Sequence, residues 1–318
     1  MPDVPPADDS PQAVAAGPSQ EPGTERRVFA PSQPAEVTDP VAGETRAGHR
    51  AVGAAAPGPG ADRAARGSTP LAAPLTAIAA TVALALLLAV CAASGQPQTG
   101  LALAFVGVVL AWGWPVLLRA PSPSITSAII GVGAVAISAT AGLTRTEPFL
   151  RWVPVAVAVS VIAGFFHQLL RRDGRAELTH GAATTVSGLA LATVGAPLAV
   201  LPAYRHGSHY VFAAGAAISL AALAEVLGRW PLWRRWMPVV VVVAGGAGAI
   251  VVSARVDGIP VLAAGLLGVL AAGISHAVRR VLLALPGADA LQARMAVASA
   301  SVLIVGVVVF LLTRLYSA

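Results

Sequence analysis

From Leu71 onward, apolar stretches follow one another, each closed by Arg, Pro or Gly. Each is roughly 18 to 23 residues long, the length a helix needs to cross the hydrocarbon core of a bilayer. The apolar residues come in continuous runs, such as Val239 to Val243, and not at the alternating period of a transmembrane strand. Inside hydrocarbon every backbone polar group must find a partner within its own segment, so the pattern predicts helices. The expected spans, about nine by the length criterion, cover 71 to 94, 101 to 118, 125 to 143, 152 to 170, 181 to 202, 210 to 228, 237 to 254, 258 to 278 and 295 to 313. Gly258 and Pro260 supply a tight break between the seventh and eighth.

Residues 1 to 70 read differently. They are rich in Pro, Ala, Gly and Ser, have Phe29 as their sole aromatic, and show no apolar periodicity. A segment of this kind buries too little surface to offset its ordering entropy, and a disordered tail is expected. Nothing hydrophobic begins before Leu71, so the first span is expected to stay as an anchor. The organisation read here is thus a disordered cytoplasmic tail, 1–70, and an all-α integral membrane domain, 71–318: a polytopic helical bundle.

Charge places the bundle in the membrane. All 21 basic residues are Arg. The tail holds nine acidic residues against six Arg, leaving six acidic residues against fifteen Arg in the rest of the chain. With the N-terminus inside, ten Arg of the loops, joined by Arg63 and Arg66 just before the first span, make twelve near the membrane on the cytoplasmic side, against five (Arg145, Arg151, Arg205, Arg255 and Arg314) on the other. The positive-inside rule therefore predicts a plasma (inner) membrane protein with a cytoplasmic N-terminus and an external C-terminus. Trp112, Trp114, Trp152, Trp230, Trp233 and Trp236 all fall at expected helix ends, where indoles favour the headgroup region. The basic charge is assigned to loops and anionic headgroups; no basic-aromatic signature points to nucleic acid.

Candidate chemistry is sparse. Cys91 is the sole cysteine, so neither an intrachain disulfide nor a cysteine metal cage can form. The chain has no Lys, hence no P-loop, and no Gly-x-Ser-x-Gly elbow. Glu225 is the sole acidic residue within an expected span, so the acidic cluster by which membrane lipid-phosphate transferases hold magnesium is missing. No enzymatic activity and no cofactor is expected.

Three titratable side chains stand one or two turns from the inner ends of their spans: His167, Glu225 and His276. If their helices are neighbours, they can face one cavity as a proton relay or a divalent-metal site. The plainer reading, preferred on sequence, has each hydrated at headgroup level or paired with a nearby Arg, as Glu225 with Arg229 four residues on. Arg171, Arg172 and Arg175, and likewise Arg234 and Arg235 within the Trp-rich collar 229–236, are candidate contacts for an anion or a lipid headgroup. The alternative for the first three is a simple turn at Asp173-Gly174 with Thr179 as helix N-cap.

Spans four and eight both end in Ala-Gly-x-x-His followed by an Arg pair. Two readings stay open: a parallel repeat of helical hairpins (spans three-four, five-six and seven-eight), or the plainer and preferred tendency of inner helix ends to collect Arg and Gly. Small-xxx-small pairs such as Gly188/Ala192, Gly195/Ala199, Gly215/Ser219 and Gly245/Ala249 predict close helix contact. The hydroxyls of span five (Thr184, Thr185, Ser187, Thr193) and span three (Thr126, Ser127, Ser138, Thr140) are expected to serve packing more than a polar path. No span joins a central charge to a Gly/Pro break, so a discontinuous-helix substrate site is not expected.

The run Phe165-Phe166-His167-Gln168-Leu169-Leu170-Arg171-Arg172-Asp173-Gly174-Arg175, with the all-Arg usage and the Pro/Ala tail, resembles uncharacterised multi-spanning membrane proteins of actinobacteria. The resemblance implies a plasma-membrane location and supplies no catalytic residues. The role expected from sequence is that of a permease-like or accessory membrane protein. The alternatives are a proton-coupled small-solute transporter and a scaffold that recruits a partner through its tail.

Overall fold

The structure is a computed structural model, and it describes residues 72–170 and 177–317. The tail expected over 1–70 lies outside the described residues. So does the connection holding Arg171, Arg172 and Arg175, with the turn expected at Asp173-Gly174.

The described chain is helical throughout: α1 (Ala72–Ser94), α2 (Gln96–Leu117), α3 (Pro123–Leu143), α4 (Val153–Leu170), α5 (Leu178–Gly195), the short α6 (Pro197–Val200), α7 (Gly207–Ala224), the short α8 (Pro231–Arg234), α9 (Met237–Ser253), α10 (Val261–Leu283), α11 (Leu291–Leu303) and α12 (Gly306–Ser317). Tight 3-10 turns at Leu201–Ala203 and Glu225–Arg229 extend α6 and α7. Eight segments among the described residues are long and apolar enough to cross a membrane. A ninth apolar helix, α9 (Met237–Ser253), has 17 residues. These coincide with the nine expected spans, and the protein is a polytopic helical membrane protein.

Three boundaries differ from expectation for identifiable reasons. Helix α2 begins at Gln96, because the polar Gln-Pro-Gln-Thr run is built into it: the Gln96 amide donates to the Ala141 and Thr144 carbonyls at 2.8 and 2.9 Å, capping the C-terminus of α3. Helix α10 runs on through Arg279 and Arg280 to Leu283. Thr179 is not an N-cap, since α5 starts at Leu178 behind Glu177, whose φ is 68°.

The fifth and ninth spans are broken. The first breaks where α5 gives way to α6 at Gly195-Ala196-Pro197, and the second where Ile304-Val305 separates α11 from α12. Pro197 cannot supply the next backbone donor, which accounts for the first break. The two breaks meet: a Cβ at Gly306 would lie 3.0 Å from the Gly195 Cα. Sequence reading missed this pairing, because the Gly-x-Pro signal sits in an otherwise unbroken apolar run. The cleft beside the breaks is lined by apolar side chains including Leu198, Val302, Val305 and Val309.

Helix α1 packs against α2, α7 and α11, α2 and α11 pack on each other, and α4 lies outside, against α3 and α5. Small residues set the spacing. A Cβ on Gly245 of α9 would overlap Ala272 of α10 and lie 2.9 Å from the Gly268 carbonyl, so these two helices touch backbone to backbone. The hairpin repeat, the less favoured of the two sequence readings, does not organise the bundle: spans three and four and spans seven and eight do pack in pairs, but α5 and α7 are not packed together. Span-five hydroxyls bond back into their own helix, as Thr184 does to His180 and Thr193 to Leu189, at 2.9 and 2.8 Å.

The two ends of the bundle are distinct. At one, Arg119 donates to the Pro286 carbonyl at 2.7 Å and the His180 ring bonds the Leu118 carbonyl at 2.8 Å, joining the connections after α2 and α10 with the start of α5. Arg229, Arg234, Arg235 and Arg280 belong to this Arg-rich end. At the other, Tyr204 sits edge-on to Phe149 and Phe310 beneath the Arg314 guanidinium.

Candidate functional site: a carboxylate, imidazole and guanidinium cluster

Helix α7 tightens from α to 3-10 geometry at Glu225, turning this carboxylate toward α10. On α10, Ser275, His276 and Arg279 share one face, since residues three and four apart are neighbours on a helix. The two elements meet through charge. The His276 Nδ1 donates to Glu225 Oε1 at 2.7 Å, and the Arg279 Nη2 donates to the same oxygen at 2.5 Å. Arg279 is 1% exposed and its other terminal nitrogen is held by Ser275 Oγ at 2.6 Å and, more distantly, by Ser301 Oγ of α11 at 3.4 Å. Three elements therefore converge on one ionic cluster.

Its depth follows from helix geometry. His276 stands about two turns, roughly 10 Å, inside the end of α10 at 1.5 Å per residue. One turn deeper, Ala221, Ala272, Met237 and Val241 form a small apolar cluster that closes the site off. Charges so placed are costly unless paired, and here one carboxylate meets one guanidinium. An ionised carboxylate only accepts hydrogen bonds, so the Glu225 contact fixes the proton of a neutral His276 on Nδ1. The other ring nitrogen, Nε2, is buried without a partner, as is the Arg279 Nε.

The cluster opens to a cavity of about 270 Å³ at the Arg-rich end. Glu225, His276, Arg229, Arg234 and Arg280 line it, with Ile78 and Met237 among its apolar walls. Among the described residues the ion pairs both belong to Glu225, and Arg229, Arg234 and Arg280 make none.

Of the trio singled out from sequence, Glu225 and His276 come together and His167 does not. His167 lies on the peripheral α4, does not line the cavity, and its Nε2 is buried without a partner. Nor does Glu225 pair with Arg229; its partners are His276 and Arg279. A guanidinium in the third position is no metal ligand, and among the described residues no three His, Cys, Asp or Glu side chains gather as a metal site would need. Arg234 lines the cavity, whereas Arg235 lies over the Trp236 ring at 5.5 Å.

Sequence reasoning missed Arg279, Ser275 and Ser301. Arg279 and Arg280 follow directly on the expected span 258 to 278 and so read as loop charges; the available signal is Ser275-His276-x-x-Arg279, a spacing that puts all three on one helical face. Trp114 was also misplaced at the headgroups. It is 5% exposed, and its indole donates to the Thr184 carbonyl and Ser187 Oγ at 3.2 and 3.1 Å, pinning α2 to α5.

The fold and this cluster define a multi-spanning helical membrane protein with a paired charge inside its bundle. Compared with protein-family models, curated proteins and solved structures, the chain matches none.

Proposed function

We propose that the protein is a permease whose transport is coupled to protons through Glu225, His276 and Arg279, with the cavity as its entry on the cytoplasmic side. The observation that supports this most is the half-buried carboxylate bonded to both an imidazole and a guanidinium and lining a cavity at a helix end. Ionisable groups held inside a membrane bundle are expensive and mark ion or proton paths. Imidazole changes charge near neutral pH, so proton arrival at His276 alters the electrostatics of a site that a solute can enter. The Arg asymmetry supports an orientation with the N-terminus and the Arg-rich end in the cytoplasm.

The test is uptake by proteoliposomes of the full chain, under an imposed pH gradient, of a panel of radiolabelled small anions, cations and neutral solutes. Gradient-driven accumulation of one class, lost in Glu225→Gln and His276→Gln and partly restored in Glu225→Asp, is the expected result. Uptake of none, or uptake unchanged in both Gln variants, contradicts it.

A further inference from the structure

The cavity has an electrostatic preference, and resting on the permease reading it names a substrate class. Glu225 is consumed by its bonds to His276 and Arg279, so the cluster itself carries no excess negative charge into the cavity. What remains around the opening is cationic: Arg229, Arg234 and Arg280 line the cavity and make no ion pair among the described residues. At its floor stands His276, 7% exposed, with Nδ1 committed to Glu225 and Nε2 unpartnered. A buried polar atom left without a partner is rare in a native structure and calls for a ligand or water to complete it.

We infer that the cavity is an oxyanion site for a phosphate-type group, which binds together with a proton on His276. Guanidinium forks match the paired oxygens of such a group, and a cavity of about 270 Å³ has room for it. The neutral imidazole, with its hydrogen on Nδ1, brings no charge to the cavity wall. Protonation at the buried Nε2 adds a positive charge behind that wall, while the bond to Glu225 is kept. Anion and proton therefore enter as a pair. The groups facing His276 are Glu225 from the end of α7, Arg279 and Arg280 on its own helix, Arg229, and Arg234 from α8; α9 contributes Met237, α1 contributes Ile78, and the contact from α11 is Ser301 through Arg279. Arg279 is held by Glu225 and two serines, so His276 is the group positioned to change charge as the anion arrives.

The phosphate group can belong to a solute or to an anionic lipid, and both arms are tested on the full chain in detergent. In the first, inorganic sulfate, a tetrahedral oxyanion whose own charge is constant over the series, and inorganic phosphate beside it are titrated calorimetrically into wild type, Arg234→Gln, Arg280→Gln and His276→Gln across a pH series, the pH slope being read from sulfate. The expected result is saturable binding that weakens about tenfold per pH unit on the alkaline limb, as linkage of one proton requires. Each Arg variant should weaken it about tenfold or more, and His276→Gln should bind with no pH slope on that limb. In the second, delipidated protein is mixed with phosphatidic acid or phosphatidylcholine and examined by native mass spectrometry. Retention of phosphatidic acid alone, lost in Arg280→Gln and absent any inorganic phosphate binding, assigns the site to a lipid headgroup. If neither probe binds, or both bind equally well to the Arg variants, the oxyanion site is overturned. Gradient-driven uptake of a neutral solute by such a protein would leave the permease reading standing without it, whereas phosphate binding with no gradient-driven uptake of any solute would do the reverse.

Discussion

Arg279 and Glu225 meet inside the bundle, 2.5 Å apart, across the contact between α10 and the end of α7. The guanidinium is 1% exposed, so this carboxylate and two serine hydroxyls are the surroundings it has in place of water. The pair joins α10 to the end of α7, and a good part of the local stability depends on it.

Breaking the pair from one side should be costly, because the remaining charge stays buried. Glu225→Ala is expected to destabilise the protein by about 3 to 5 kcal/mol. The double replacement Glu225→Leu with Arg279→Met, which removes both charges, should recover most of that loss while leaving the protein inactive. Thermal denaturation in detergent, followed by a thiol-reactive dye on Cys91, reads both.

The close approach of α9 and α10 should tolerate no side chain at its centre. A Cβ on Gly268 would overlap the Gly245 carbonyl and lie 2.8 Å from the Ala249 Cβ. Gly268→Val is therefore expected to lose monodispersity on size exclusion. Gly273→Ala, whose added Cβ meets Val242 at 3.5 Å, should elute as wild type.

Trp114 should behave unlike the other tryptophans. With its indole buried and bonded to Thr184 and Ser187, it is expected to emit at shorter wavelength and to resist aqueous quenchers. Trp230, Trp233 and Trp236, all exposed beyond 40%, should quench readily. Trp114→Phe should cost about 1 to 2 kcal/mol for the lost hydrogen bonds.

At the opposite end, burial pushes the Tyr204 hydroxyl above its ordinary value of 10.0, with the nearby Arg314 opposing and Glu147 assisting. A group whose proton is held more tightly in the folded state gives stability below the unfolded value that is lost as pH rises toward the folded one. Thermal stability should thus fall above pH 10 in wild type, and Tyr204→Phe should remove that part of the decline.

How far the sequence discloses all this follows from what each feature depends on. Span positions were legible because they rest on continuous apolar length, a property of neighbours in the chain. The breaks at Gly195 and Ile304 were not, since neither interrupts hydropathy and their meaning comes from each other. Glu225 and His276 were legible as candidates because a charge in an apolar run is conspicuous. Arg279 was hidden by its position: an arginine beside a second arginine at a helix end reads as topology, and only the extension of α10 to Leu283 carries it inside. His167 shows the converse, a matching local motif on a helix that packs elsewhere.

The most direct measurement on the central claim is proton movement itself. Proteoliposomes of the full chain carrying a trapped pH indicator are given an outside-to-inside gradient of the solute class that uptake identifies, with no initial pH gradient. Wild type is expected to move protons with the solute, and Glu225→Gln and His276→Gln, verified as monodisperse, to move none. Indicator traces for the two variants that overlay wild type would show that protons take no path through Glu225 and His276.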